Sequence, residues 1–252
     1  MLEIKNLSKV YPDGTRALDN VSFTVADGEF LVIIGLSGSG KSTLLRCINR
    51  LIEPTSGQII LDGVDITMAS SSQLRRIRRD IAMIFQQFNL VKRSSVMRNV
   101  LAGRLGYVNP WLSLVGIFPK EDRERAKQAL KLVGIPDKAN NRADALSGGQ
   151  QQRVGIARAL MQEPKLLLAD EPVSALDPAT SHSVMKYIEL INRERGVTVL
   201  CSLHFLSLAR TYASRIIALK DGRMMFDGGP NEIDNQRFKE IYGEDAVEVE
   251  IN

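Results

Sequence analysis

The chain has 252 residues, 44% apolar and 25% charged, proportions that suit a folded globular protein with one sizeable core, or a core with a subdomain, and exclude a disordered or fibrous one. Its net charge of +4 and pI near 9.1 come mostly from scattered basic residues; the one dense cluster, Arg75-Arg76-Ile77-Arg78-Arg79, is followed by Asp80 and reads as a solvated helix face rather than a polyanion site. No apolar stretch approaches the roughly 18 to 20 residues that span a bilayer, no N-terminal signal pattern is present, and Cys47 and Cys201 lack paired spacing and read as small buried thiols of a reducing interior.

Leu2 to Leu7 alternates as a half-buried strand does, Tyr11-Pro12-Asp13-Gly14 is a turn, and Val21 to Val25 alternates again before the turn Asp27-Gly28. Two antiparallel strands therefore precede the apolar run Phe30 to Ile34. Next comes Gly35-Leu36-Ser37-Gly38-Ser39-Gly40-Lys41-Ser42-Thr43, and then the helix-compatible Leu44-Leu45-Arg46-Cys47-Ile48. Strand, glycine-rich loop and helix in this order are the context that confirms a G-x-x-x-x-G-K-[ST] phosphate loop. The three glycines free the backbone to turn its amides inward as an anion nest, and the positive end of the helix dipole points the same way. Lys41 is expected to reach the β- and γ-phosphates, and the Ser42 hydroxyl to ligate Mg²⁺.

Glu53 to Gly57 breaks the pattern, Gln58 to Gly63 reads as strand and turn, Ser70 to Arg79 as a basic helix, and Ile81 to Phe85 as a strand ended by Gln86-Gln87-Phe88. From Asn89 strand alternation disappears, while Val96 to Ala102 and Lys120 to Val133 show helical spacing. Residues 87–160 are thus expected to form a mainly helical subdomain inserted into an α/β core made of 1–86 and 161–252, the whole being a single domain. Trp111, the only tryptophan, either anchors a partner surface or packs within that subdomain. The α/β rhythm returns with strand Lys165 to Ala169, helix Pro178 to Arg193, strand Val197 to Cys201, helix Leu206 to Tyr212 and strand Arg215 to Leu219, which predicts a parallel sheet covered by helices. The tail from Glu244 to Asn252 is short and acidic.

A phosphate loop needs an acidic station to hold metal and prepare water, and Asp170-Glu171 at the end of the buried strand supplies one: Asp170 for Mg²⁺ and Glu171 to polarise the attacking water. Leu146-Ser147-Gly148-Gly149-Gln150-Gln151-Gln152-Arg153 places a capping serine and two glycines at the start of a helix, a second N-terminal anion site. With this octet the chain resembles the ATP-binding cassette (ABC) ATPases, whose signature motif it matches as written. The resemblance implies a head-to-tail homodimer in which Ser147, Gly148, Gly149 and Gln150 of one subunit close over the ATP held by the other.

The same resemblance implies further roles. Tyr11, which by itself reads as turn packing, falls where the family stacks an aromatic on adenine. Gln86 matches the glutamine that senses Mg²⁺ and couples to the membrane subunit. Ser174-Ala175-Leu176-Asp177 matches the loop that communicates across the dimer, and His204 the switch histidine at the γ-phosphate. His182 has no motif and reads as surface. More narrowly, Gly103-Arg104-Leu105-Gly106, the segment Trp111 to Arg123 and Asp170-Glu171-Pro172-Val173 are similar to the ATP-binding subunits of bacterial phosphonate and phosphite importers, although Ser174-Ala175 reverses that subgroup's Ala-Ser order. The implied partners are membrane permease subunits and, through them, a periplasmic or lipid-anchored solute-binding protein, with this chain peripheral on the cytoplasmic face of the inner membrane. Importers of amino acids or phosphate and exporters with separate ATPase chains share these motifs. A soluble ABC ATPase of nucleic acid would share the dimer but usually carries long coiled-coil inserts or two cassettes, so no nucleic acid is expected. A small kinase or GTPase would have no use for the octet.

Overall fold

The structure is a computed structural model and describes residues 1–114 and 116–244; Val115 and the acidic tail from residue 245 onward lie outside the described residues. Two sheets carry the chain. A four-stranded antiparallel sheet has the order β2 (Arg16–Val25), β1 (Leu2–Val10), β4 (Ser56–Leu61), β5 (Val64–Asp65). A six-stranded sheet has the order β10 (Arg223–Gly228), β9 (Arg215–Lys220), β3 (Phe30–Ile34), β8 (Thr198–Ser202), β7 (Leu166–Asp170), β6 (Ile81–Ile84). The last five of these are parallel, and only β10 runs antiparallel to β9.

Side-chain alternation divides the apolar strands between two cores. On β3, Leu31 and Ile33 join a core with β1, β2 and α1 (Lys41–Ile48), whereas Phe30, Val32 and Ile34 face the opposite side. There they meet α3 (Val96–Leu101), α5 (Lys120–Leu132), α6 (Gly148–Leu160), α7 (Pro178–Arg195) and α8 (Leu206–Tyr212). Strands β3, β6, β7 and β8 are buried at every residue, which is why they read as unbroken apolar runs. Both cysteines are buried in these cores, and desolvation pushes the Cys47 thiol up to about 12.

Four elements were not legible in the pattern: β5, β10, the short α4 (Pro110–Leu114) and α9 (Asn235–Tyr242). Two of these follow Asp-Gly pairs, Asp62-Gly63 and Asp221-Gly222, all four residues with positive φ, and such a pair is a strong hairpin signal. β10 was obscured because its inward positions, Met224, Phe226 and Gly228, are only half-buried and the exposed Met225 breaks the polar side of the alternation.

Three expectations need correction or a decision. His182 is not a surface residue; it lies on the face of α7 turned towards α8, half-buried, with Nδ1 3.1 Å from the Tyr212 hydroxyl. Trp111 is 79% exposed, so it does not pack within its own segment. In the basic cluster Arg75, Arg76 and Arg79 face solvent, but Arg78 turns inward and donates to the carbonyls of Asn49 (3.0 Å) and Arg50 (2.8 Å), just beyond the end of α1.

Close packing in the helical region is sharpest at Gly103, within a 3₁₀ turn at Ala102–Arg104. A Cβ there would lie 2.2 Å from the Arg158 carbonyl oxygen and 2.7 Å from Met161 Cβ. Gly103→Ala is therefore expected to lower stability by about 1–3 kcal/mol, the usual cost of overpacking. Gly106→Ala, whose nearest neighbour would be at 3.5 Å, serves as the near-neutral control in urea unfolding. Equal midpoints for the two variants would refute the close approach.

Candidate active site

The phosphate loop leaves β3 at the middle of the parallel sheet. Gly35 (φ 141°) and Gly40 (φ 105°) are compelled both by conformation and by space: a Cβ on Gly35 would sit 2.2 Å from the Leu219 carbonyl oxygen, and one on Gly40 2.4 Å from that of Ala17. Leu36, Ser37 and Gly38 form an exposed crest. Lys41 is only 3% exposed, and its ammonium donates back to the carbonyls of Gly35 (2.8 Å) and Leu36 (3.0 Å). Burial lowers its pKa, against the opposing pull of Glu171 and Asp170. The Thr43 hydroxyl is 3.2 Å from the Tyr11 hydroxyl, which brings Tyr11 to the flank of the loop.

Several features test whether a phosphate chain fits this loop. The Ser39 hydroxyl is buried without a hydrogen-bond partner. The first turn of α1 carries no capping side chain and no acidic residue, so its leading amides are not claimed by a cap. Buried donors, a buried cation and a helix start left without an anionic side chain fit a polyanion.

The acids stand opposite. Asp170, 1% exposed, accepts from the Ser42 hydroxyl at 2.6 Å and, on its other oxygen, from Arg46 at 3.1 Å. Glu171 follows in a left-handed conformation (φ 48°) that few side-chain-bearing residues adopt. Its Oε1 lies 2.6 Å from His204 Nε2 and 3.8 Å from Lys41 Nζ. The hydrogen bond from His204 is the largest influence on the Glu171 carboxyl and holds it below the usual carboxylate range; burial opposes this, and the charges of His204, Lys41 and Arg46 reinforce it. The Ser42–Asp170 pair offers hard oxygen donors of the type magnesium takes. Among the described residues there is no group of three or more His, Cys, Asp or Glu side chains able to hold a metal by themselves.

The structure gathers Lys41, Ser42, Asp170, Glu171 and His204, and leaves other expected residues elsewhere. Ser147 caps α6 and forms a reciprocal box with Gln150: the Gln150 amide donates to the Ser147 hydroxyl (3.4 Å), and the Ser147 amide to the Gln150 side chain (3.1 Å). A Cβ on Gly149 would meet Thr180 Cγ2 at 2.3 Å, and one on Gly148 would lie 3.4 Å from Leu176, so these glycines pack α6 against the start of α7. Asp177 caps α7 by accepting from the Thr180 amide at 3.0 Å. Among the described residues, no hydrogen bond or ion pair joins Ser147–Gln150 to Lys41, Asp170 or Glu171 of the same chain. Gln86 is exposed and lines a separate cavity of about 520 Å³ with Phe88, Lys92, Asp144, Gln151 and Ala175. Sequence reasoning passed over Arg46 on Asp170; its position five residues after Lys41, on the same helix, was the available signal.

A carboxyl held below its ordinary pKa by the fold contributes stability that is present above the unfolded-state pKa and lost as pH falls through the folded-state value. His204→Ala is therefore expected to destabilise the protein at neutral pH, with the difference from the parent shrinking as pH drops through the carboxylate range. Urea unfolding at stepped pH reads this directly; a difference independent of pH would show that His204 does not hold the Glu171 carboxyl down.

The family model described as "ABC transporter" matches residues 18–174. The chain is 58% identical over 253 residues to the "Phosphonates import ATP-binding protein PhnC" of Bdellovibrio bacteriovorus, covering 100% of this chain and 97% of that one. It is 55% identical over 251 residues to the protein of the same name from Shouchella clausii, covering 100% and 94%. Among solved structures, the "Dimeric Structure of MJ0796, a Bacterial ABC Transporter Cassette" superposes with a TM-score of 0.82 at 38% identity, over 92% of this chain and 100% of that one. The same cassette in a dimeric post-hydrolysis state bound to ADP and Pi gives a TM-score of 0.81. A family match across the phosphate loop, the signature octet and the acidic pair, with relatives alike from end to end, means that the chain belongs to the ABC transporter family.

Proposed function

We propose that this chain is the ATP-hydrolysing subunit of a bacterial importer that takes up phosphonates, the solute class in the names of its relatives. The observation that carries the chemical part is the convergence of Lys41, Glu171 and His204 within 4 Å contacts beside the Ser42–Asp170 pair. ATP lies along residues 35–43, its phosphates received by the loop amides, Lys41 and the start of α1, with Tyr11 against the adenine. Ser42 and Asp170 would hold a magnesium ion, which would supply positive charge to the phosphates; the glutamine role that the family resemblance gives Gln86 would need that side chain to turn in from its exposed position. Glu171 orients and polarises the water that attacks the γ-phosphorus, and His204 holds the Glu171 carboxylate and contacts the γ-phosphate. Lys41, now donating to the loop's own carbonyls, transfers those hydrogen bonds to phosphate oxygens.

The site is completed by a second copy. Ser147, Gly148, Gly149 and Gln150, which have no bond to the acids of their own chain, close over the partner's nucleotide, and Asp177 lies at the junction. The division into a catalytic core of 1–86 and 161–252 and a helical part of 87–160 lets the signature move relative to the phosphate loop. The cavity beside Gln86 receives a cytoplasmic segment of the permease subunit, which in turn engages a periplasmic or lipid-anchored solute-binding protein. No described helix is long and apolar enough to cross a membrane, and the proposed place of the chain is peripheral, on the cytoplasmic face of the inner membrane.

Glu171→Gln is expected to keep ATP affinity, lower turnover by about 100-fold or more, the range for a lost general base, and accumulate an ATP-bound dimer on size exclusion; full turnover would refute the role of Glu171. For the solute, the chain reconstituted with permease and binding protein should show ATP turnover raised by a phosphonate and not by an amino acid. No response to any phosphonate would remove the solute assignment and leave the ATPase assignment standing.

A further inference from the structure

Ser202, the last residue of β8, is completely buried in a strand whose four other residues are also buried. A hydroxyl in such a place must bond or be penalised. In the ladder Ser202 pairs with Asp170 of β7 on one side and with Ile33 of β3 on the other, so the neighbouring strand ends set its position. Its side chain lies on the same face as Leu168 and Leu200, the face covered by α1, which carries Ser42.

The hydroxyl makes two contacts, one to each of two successive acids. Its oxygen accepts from the Glu171 amide at 2.9 Å, and it donates to Asp170 Oδ1 at 3.3 Å. The first bond falls on the residue with the disfavoured positive φ, where the chain turns out of β7 and aims the Glu171 carboxylate at His204. The second falls on the oxygen that also accepts from Ser42. Two residues after Ser202 comes His204, and the intervening Leu203 amide is tied to the Ile33 carbonyl at 3.0 Å. One hydroxyl therefore joins the metal acid, the backbone of the water-polarising acid and the segment that carries the histidine. Alanine there would leave the Glu171 amide and one Asp170 acceptor position without their partner in a buried setting.

We propose that Ser202 is a positioning residue for hydrolysis: it locks Glu171 in its left-handed conformation and links it to Asp170, without touching ATP. This rests on the roles given above to Asp170 and Glu171. ATP binding depends on the phosphate loop, to which the Ser202 hydroxyl makes no hydrogen bond, so its loss should act on turnover and spare affinity.

The experiment measures ATP turnover of purified Ser202→Ala, Ser202→Cys and Ser202→Thr, with urea unfolding in parallel. Alanine is expected to lower kcat by about tenfold or more, the equivalent of one lost positioning hydrogen bond, while KM for ATP stays within about twofold. Threonine, which keeps the hydroxyl, should recover most of kcat. Cysteine, which keeps the volume but accepts hydrogen bonds weakly, should behave as alanine does and gives the decisive reading should the alanine variant fail to fold. Parent-like kcat in the cysteine or alanine variant overturns the proposal. So does a fall in kcat that tracks lost stability and is not recovered by threonine. Glu171→Gln run alongside separates the two failures: if it hydrolyses ATP normally the underlying reading falls, and if it is inert while Ser202→Ala is normal only this proposal falls.

Discussion

The active-site arrangement depends on the parallel register of three strands. β3, β8 and β7 are hydrogen-bonded side by side with Ile33 opposite Ser202 and Ser202 opposite Asp170, so their carboxyl ends finish level with one another. The loop from Gly35, the segment that reaches His204, and Glu171 all emerge along one edge of the sheet. In open parallel sheets ligands gather at this edge because the connections to the helices diverge there. A slip of one residue between β7 and β8 would reverse which side of the sheet Asp170 faces relative to Ser202.

The electrostatics follow from that convergence. Lys41 is buried, and its ammonium, deprived of water, is held by two carbonyls of its own loop with Glu171 just beyond hydrogen-bond range. Glu171 is held in turn by His204, and Asp170 by Ser42 and Arg46. Lys41, Asp170 and Glu171 thus each have a counter-charge or a hydrogen-bond partner within the chain. These internal bonds of Lys41 and Ser42 are the ones that the proposed nucleotide and its metal would have to displace.

The signature octet obeys a different logic. Its capping box and its glycines are used within the chain, to start α6 and to seat it on α7, and its exposed Ser147 faces away from any bond to the acids of its own chain. Trp111, Leu112 and Leu114 are likewise exposed beyond what a closed monomer needs.

The sequence by itself determined what is local or additive. The phosphate loop was legible because strand, three glycines, lysine and helix stand within one short stretch, and the buried strands because burial on both faces writes an unbroken apolar run. The Asp-Gly pairs before β5 and β10 carried a local hairpin signal, but β5 is only two residues long and β10 is only half-buried on its inward side, so neither strand was read. Only the tertiary structure decided which distant residues meet. Ser202, 160 positions after Ser42, shares its aspartate with it because β8 happens to lie between β3 and β7, and strand order is not encoded in any short stretch. His182 turned out to be tied to Tyr212, and Arg78 to the carbonyls beyond α1, for the same reason: a polar side chain in an amphipathic helix reads as solvent-facing until the neighbour that covers it is known.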